Sequence, residues 1–434
     1  MPKLHGLAAG FRGYQNAFST GLSRSLLSPP KVDILGTAGK LTRNTLANPR
    51  GASSFRRRAG ICRGYLGSTA FTAVGFLAAD AMADGVKLEI EGYLKSAVGV
   101  VFSEDYSASS GVVGSDLRDY VIKQDVEIRF QGETELENGL TVGVGIELEG
   151  QTSDDQIASV YAYLEGGFGE FRFGDTEEAY AQFCYQVPSA STLFGADSPD
   201  FNFSNAGIAG YAATNGTCYG VDDNSTKLVF FSPTFAGFQL AASFTPDNTE
   251  DTRNTLAGAG TRFKDDPEQN SENLSIAASF MQDIDEVRLV LGGGATFSFD
   301  KEDNPNHTAN ARGYNAYGQV AVFGFTIGAA SELRQNLADD GEDQWVYGAG
   351  ATYAWSGWTV GLGWTRGDYE GVTGANGVGP FNADHDIYSA TVSYELGPGI
   401  SLDGVIEYSD YSSHDAAGPD YRGLAAGIGT IVTF

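Results

Sequence analysis

The chain has 434 residues and a formal net charge of −28, with 55 acidic against 27 basic side chains. So acidic a surface makes nucleic acid a poor partner, since phosphate backbones are bound by an excess of Lys and Arg. Gly is abundant at 58 residues, Phe and Tyr number 27 and 21, and Met and Cys appear 3 times each, a profile that disfavours long helices.

The charge is divided unevenly. Met1 to Ala83 is rich in Arg and Lys and holds only Asp33 and Asp80 as acids, whereas nearly all other acids lie beyond it. Within that piece the order is that of a secretory signal over 56–83: Arg56, Arg57, Arg58 and Arg63, then a short apolar core from Leu66 to Ala79, then the small-x-small box Ala81-Met82-Ala83. Cleavage is expected after Ala83. Residues 1–55 precede this signal and read as a start assigned too early or a dispensable extension, with an organellar transit peptide as the other reading. No segment reaches the roughly 18 to 20 consecutive apolar residues of a membrane-spanning helix.

From Asp84 onward the dominant signal is alternation, which places successive side chains on opposite faces of a strand. In "RDYVIKQDVEIRFQGETEL", Ile122, Val126, Ile128 and Phe130 share one face with Gln124, and Lys123, Asp125, Glu127, Arg129 and Glu133 share the other. Asn138-Gly139 then marks a hairpin, and Val142, Val144, Ile146 and Leu148 continue the apolar face. In order, the pattern predicts strands at 87–102, 119–135, 140–150, 157–166, 169–176, 226–233, 237–245, 272–282, 286–299, 312–323, 325–334, 344–354, 358–367, 386–396, 400–411 and 421–434. Short turns ("ENG", "GGFG", "DIDE", "FGF", "SGW", "GPG") alternate with longer acidic or Gly- and Asn-rich connections, the mark of an up-and-down meander.

Sixteen antiparallel strands with short turns at one rim and long connections at the other predict an all-β transmembrane barrel. In hydrocarbon every backbone N–H and C=O must pair internally, so a sheet can span only by closing on itself. Lipid-facing apolar side chains alternating with charged lumen-facing ones explain an apolar period of two without any long apolar run. Trp345, Tyr347, Tyr353, Trp355, Trp358, Trp364, Tyr388 and Tyr394 fall near predicted strand ends, where interfacial girdles are expected. A large soluble all-β fold would need a dry interior, which Lys123, Asp125, Glu127 and Arg129 on one face do not make.

One connection, 176–225, breaks the rhythm, and loops of this length in a compact domain are usually functional. With "DGVKLEIEGYLKSAVGV" after the signal, "YAYLEGGFGEFRFGDTEEA" entering that connection, and a terminal Phe434, the chain from Asp84 onward resembles the sixteen-stranded general porins of Gram-negative outer membranes, especially the alphaproteobacterial ones. The resemblance implies a homotrimeric channel in the bacterial outer membrane, among lipid and lipopolysaccharide, that passes small hydrophilic solutes and ions. It implies that the third external loop folds into the barrel and sets acidic groups opposite basic ones. Carried onto this sequence, the acidic side falls among Asp175, Glu177, Glu178, Asp197, Asp200, Asp222 and Asp223, and the basic wall among Lys87, Lys95, Lys123, Arg129 and Arg172. Lys95, Lys123 and Arg129 lie on the polar face by alternation. Such facing charges would orient dipolar solutes and select ions by sign. Cys184 and Cys218 depart from the family pattern; a bridge between them suits an oxidising compartment, and sequence leaves their distance open.

Catalytic patterns are absent: there is no Gly-x-Ser-x-Gly elbow, His-Glu-x-x-His, Cys-x-x-Cys or phosphate-binding loop, and His307, His385 and His414 fall in predicted outer loops. Asp339, Asp340, Glu342 and Asp343, or Asp197 and Asp200, are candidate oxygen ligands for calcium, without EF-hand spacing. The reading is a passive, cation-preferring diffusion channel; the alternatives are a substrate-specific channel and a non-conducting surface barrel such as an adhesin. The closing "GLAAGIGTIVTF" is expected to pair with the first strand, and its Phe434 resembles the signal read by the barrel-assembly machinery.

Overall fold

The computed structural model describes residues 85–106, 118–150, 157–197, 199–203, 215–222, 224–247, 271–300, 310–336, 343–372, 381–414 and 420–434. The leader and the extension before it lie outside the described residues, as do Asp223, His307, Asp339, Asp340 and Glu342.

Sixteen strands run in chain order: β1 (Lys87–Tyr106), β2 (Tyr120–Glu135), β3 (Thr141–Glu149), β4 (Ile157–Gly166), β5 (Gly169–Asp175), β6 (Thr226–Phe231), β7 (Phe238–Thr245), β8 (Ser271–Ile284), β9 (Val287–Asp300), β10 (Arg312–Val322), β11 (Phe325–Gln335), β12 (Asp343–Trp355), β13 (Trp358–Val372), β14 (Phe381–Gly397), β15 (Ile400–Ser413) and β16 (Asp420–Thr433). Each pairs antiparallel with its chain neighbour, and β1 pairs with β16, so the barrel is closed. The alternation decides this outcome, because an outward apolar face and an inward polar one both find their solvent only when no edge remains. The largest difference from the sequence reading is at β13 and β14, which extend into "YEGVTGANGVGPFNADHD" and shorten that connection.

The turns set the register. Phe323-Gly324 and Ser356-Gly357 both have positive φ at the two central positions (50° and 84°, 45° and 82°), the type I′ geometry whose twist matches a two-residue hairpin. The seam is closed by backbone pairs such as Val98 with Ile428. It ends where the Gly92 and Phe434 main chains exchange two hydrogen bonds of 2.9 and 3.0 Å.

Outward positions carry exposed Leu94, Val98, Ile122, Val144, Phe171, Leu240, Leu362 and Ile406. The aromatic residues form two belts. At the short-turn rim, Tyr353 stacks on Trp355 at 5.4 Å and Trp358 packs on Tyr394 at 4.5 Å. Toward the other rim, Tyr347 meets the Trp364 ring edge-on at 5.9 Å, with Tyr388 and Tyr408 beside them. Rings with an apolar body and a polar edge settle at the headgroup level.

Candidate pore constriction

The connection between β5 and β6 folds into the barrel. It opens with one helical turn, α1 (Ala179–Gln182), packed on β7, β8 and β9. It then follows the inner wall: Val187 packs with Val290, Tyr317 and Ala330, and the Ala190 N–H donates to Thr391 Oγ1 at 3.1 Å. Leu193, Phe194, Phe201 and Phe203 bury against Ala97, Val405, Ala425 and Ile431 beside the seam. Gly99 and Gly427 leave the space that the Phe203 ring fills, since a Cβ at either would run into it. The loop therefore lies along the inner wall from β6 round through β16 to β1.

Buried carboxylates latch it there. Glu178 accepts the Val221 N–H at 3.1 Å and the Thr296 hydroxyl at 2.6 Å. Glu332 of β11 accepts the Tyr180 hydroxyl at 2.8 Å and the Gly220 N–H at 2.8 Å, and Glu407 of β15 accepts the Phe203 N–H at 2.5 Å. Asp197 accepts the Val187 N–H, the Thr217 N–H and the Thr217 hydroxyl at 2.8, 2.9 and 2.6 Å. Burial pushes the Glu178 carboxyl up to about 7, with the neighbouring Asp222 adding to it, and the Asp197 carboxyl up to about 6. A disulfide joins Cys184 to Cys218, Cα to Cα 5.6 Å, tying the outgoing limb of the loop to the returning one.

The sequence reading set loop acids against wall bases, and the geometry distributes them differently. Asp175 accepts the Thr226 hydroxyl at 2.5 Å, and Asp222 accepts the Ser225 and Thr245 hydroxyls at 2.5 Å each and lies 3.4 Å from Lys227 Nζ. Glu177 is half-buried, its carbonyl accepting from Gln182 Nε2 at 2.7 Å. Among the loop acids, Asp200 meets a base of the expected wall, Lys95, at 2.8 Å. Burial raises the Asp200 carboxyl to about 6 although the Lys95 charge works against the rise. Lys123 Nζ donates to the main-chain carbonyl of Asn202 in the loop at 2.5 Å.

The remaining wall bases are paired on the wall. Arg129 binds Glu147 of β3 with two guanidinium nitrogens and lies 3.4 Å from Glu127. Arg172 pairs with Glu170 at 2.8 Å and stacks over the Tyr161 ring at 4.4 Å. Lys87 is exposed, opposite Glu133 near the short-turn rim, and is not brought to the constriction. Register gives Arg129 a carboxylate one strand away, Glu147, whereas Arg172 meets Glu170 two residues along its own strand and donates from Nη1 to Gln182 of the loop at 3.1 Å.

The loop leaves much of the wall of β2 to β5 open, touching it at Lys123 and Arg172. Asp125 and Arg129 remain partly solvent-accessible there, at 30% and 22% of their side-chain area. Tyr163 Oη donates to Glu133 at 2.7 Å and accepts from Gln131 Nε2 at 3.0 Å. Inward acids on these strands and β1 (Glu89, Glu91, Asp125, Glu127, Glu133, Glu135, Glu147, Glu149, Glu165 and Glu170) outnumber Lys87, Lys95, Lys123, Arg129 and Arg172.

Several functional groups escaped the sequence reading. Lys227, Arg334, Glu332 and Glu407 all have inward strand parity, which was the signal available, but parity alone does not say where the loop lands. His385 is not in a loop: it is buried on β14, Nε2 2.7 Å from Ser409 Oγ. Among the described residues no group of metal-ligating side chains converges. Asp197 and Asp200 fit a calcium ion poorly, since protein donors and Lys95 already occupy them.

A closed barrel with a charged, partly open lumen narrowed by an inward loop defines a transmembrane diffusion channel. The chain belongs to the Gram-negative porin family, whose model matches residues 68–414, and its place is the bacterial outer membrane. No curated protein matches the sequence. Among solved structures the chain is similar to the outer membrane protein OmpT of Vibrio cholerae folded in vitro, at 12% identity and TM-score 0.52 over 81% of this chain and 99% of that one. It is similar to the loop L8 deletion mutant of that protein, at 13% identity and TM-score 0.52 over 81% and 100%. A porin refined at 1.8 Å resolution matches at 14% identity and TM-score 0.50 over 80% and 100%. At these identities the likeness speaks for the fold alone.

Proposed function

We propose that this porin is a cation-preferring channel for passive diffusion of small hydrophilic solutes and ions. The observation that carries the preference is the excess of carboxylates over Lys and Arg at the inward positions of β1 to β5. Fixed negative charge in a narrow aqueous passage concentrates counter-ions and lowers the barrier for cations relative to anions. The loop sets the size limit, and its disulfide and buried carboxylates keep it against the wall. Family kinship, together with the trimer form of OmpT in one similar fold, supports a homotrimer surrounded by lipid and lipopolysaccharide. The same reading includes removal of the leader after Ala83 and recognition of Phe434 by the barrel-assembly machinery.

Planar-bilayer recording tests the function directly. The expected result is stable conductance steps with a zero-current potential of the cation-selective sign in a salt gradient; an anion-selective sign overturns the preference, and persistent silence overturns the channel. Liposome swelling with sugars of graded size then measures the exclusion limit.

A further inference from the structure

Several buried carboxylates of the lumen are answered by a base. Asp200 faces Lys95 at 2.8 Å, Asp222 faces Lys227 at 3.4 Å, and Glu332 lies 3.6 Å from Arg334 Nε. Asp197 has three hydrogen bonds instead, two of them from backbone N–H groups. Asp403 of β15 is supported differently. It is 2% exposed, and among the described residues no Lys or Arg charge faces it.

What surrounds Asp403 is hydroxyl. Ser401 Oγ donates to its Oδ2 at 2.5 Å, and the hydroxyls of Ser393, its cross-strand partner on β14, and of Ser191 in the loop also bond the carboxyl. Oδ1 is shut off from solvent and has no hydrogen-bond partner. Thr192 Oγ1, next in the loop, is likewise buried without one. Strand parity and the path of the loop explain the gathering. Ser393, Ser401 and Asp403 all point inward near the short-turn ends of β14 and β15, and the loop is held over them where Ala190 N–H and Ser189 Oγ meet Thr391 Oγ1 at 3.1 and 3.3 Å. Gly429 pairs with Asp403 on β16, and a Cβ there would run into Leu193, which seals that side.

Buried charges in proteins are paired or coordinate metals, and an unsatisfied oxygen of a buried carboxylate marks a missing partner. A water molecule would satisfy the oxygen and leave the charge. We propose that Asp403 holds one alkali-metal cation of the sodium class, with the Ser191, Ser393 and Ser401 hydroxyl oxygens completing an all-oxygen site. Each serine oxygen has lone pairs to offer once its hydrogen rotates away. A single formal charge suits a monovalent ion. Calcium takes about six to eight oxygens, commonly from several carboxylates, and no three acidic, His or Cys side chains gather among the described residues. An organic ammonium ion is too large for a carboxylate so enclosed. Because Ser191 belongs to the loop and the other ligands to the wall, the cation fastens one to the other. It resides behind the loop, out of the diffusion path, so the assignment does not depend on the ion preference of the lumen.

The test is amide hydrogen exchange of the intact folded barrel in sodium chloride against N-methyl-D-glucamine chloride of equal ionic strength. A ligand that binds only the docked loop stabilises it by mass action, so exchange across 187–194 should be roughly threefold slower or more in sodium. Asp403→Asn removes the charge and should exchange alike in both salts. Ser191→Ala, which keeps the charge and loses one ligand, should need severalfold more sodium for the same protection. Heat-shifted gel mobility reports that each variant is folded. Thallium(I) soaked into crystals of the wild type should give an anomalous peak between Asp403 and Ser191. Equal exchange of the wild type in both salts overturns the proposal and leaves Asp403 a protonated acid, and a thallium map without that peak overturns it as well. A sodium effect that persists in folded Asp403→Asn places the cation elsewhere, and protection by calcium but not by sodium overturns the monovalent class.

Discussion

Lys95 Nζ lies 2.8 Å from Asp200 Oδ2, with both side chains almost fully buried, and this pair fastens the inward loop to the first strand of the barrel. Replacing Lys95 by Met leaves Asp200 without its cation, and an uncompensated buried charge costs about 3–5 kcal/mol. Loop loosening at pH 8 is the expected outcome, seen as noisier single-channel current and faster proteolysis between Gln186 and Asp222. Lys95→Met combined with Asp200→Asn should recover most of the loss, because the stranded charge is gone. A double variant as noisy as the single one would show that the pair is not the fastening.

The disulfide closes a segment with sequence separation 34. Chain-entropy arguments give such a closure about 3–4 kcal/mol. Cys184→Ser with Cys218→Ser should leave barrel assembly intact, since the strand ladder does not depend on it, while exposing the loop to proteases. Limited proteolysis with and without a reductant reads this, and equal nicking under both conditions refutes it.

Selectivity should follow the wall. Glu147→Gln removes one of the carboxylates that neutralise Arg129, leaving Glu127 beside it, so the zero-current potential should move toward anions. Arg129→Ala should move it the opposite way. The shift should shrink at high ionic strength, where the Debye length is about 3 Å at 1 M. Shifts of the same sign in both variants would place selectivity elsewhere.

The loop carboxyls give a pH dependence. Glu178 at about 7, and Asp197 and Asp200 at about 6, bind protons more tightly in the folded loop than in an unfolded chain, where such groups titrate near 4. The folded loop therefore holds more protons between roughly pH 4 and 7, and its stability falls as pH rises through that window. Hydrogen exchange of the loop amides, corrected for intrinsic rates, should be slower at pH 5.5 than at pH 8. Faster exchange at pH 5.5 would mean that the ionised carboxylates, as acceptors, are what hold the loop.

Deleting Phe434 removes both hydrogen bonds to Gly92 at the end of the seam. The yield of folded oligomer in cells should drop severalfold, while molecules that do assemble conduct normally. Gly92→Ala strains the same corner, because a Cβ there would meet the Glu127 carbonyl oxygen at 2.6 Å as well as the Phe434 ring at 2.7 Å. Normal yield from both variants would remove the seam's end from the assembly step.

Much of this molecule was legible from residue order. Alternation in stretches such as Lys123–Glu133, and turn residues such as Asn138-Gly139 and Ser356-Gly357, determined strand number, antiparallel order and which face is wet, because side-chain direction in a strand depends only on parity. Parity also determined that Lys95, Lys123 and Arg129 face inward. What tertiary structure alone decided was what each inward charge meets. Arg129 is answered by Glu147 because β2 and β3 pair in that register, and Glu332, Glu407 and Thr296 become anchors because the loop happens to pass them. His385 became a buried strand residue because β14 runs further than its apolar pattern. Alternation is a local property carried by neighbouring residues, whereas charge pairing across strands and the path of a fifty-residue loop are long-range, and their energies exist only once the barrel has closed.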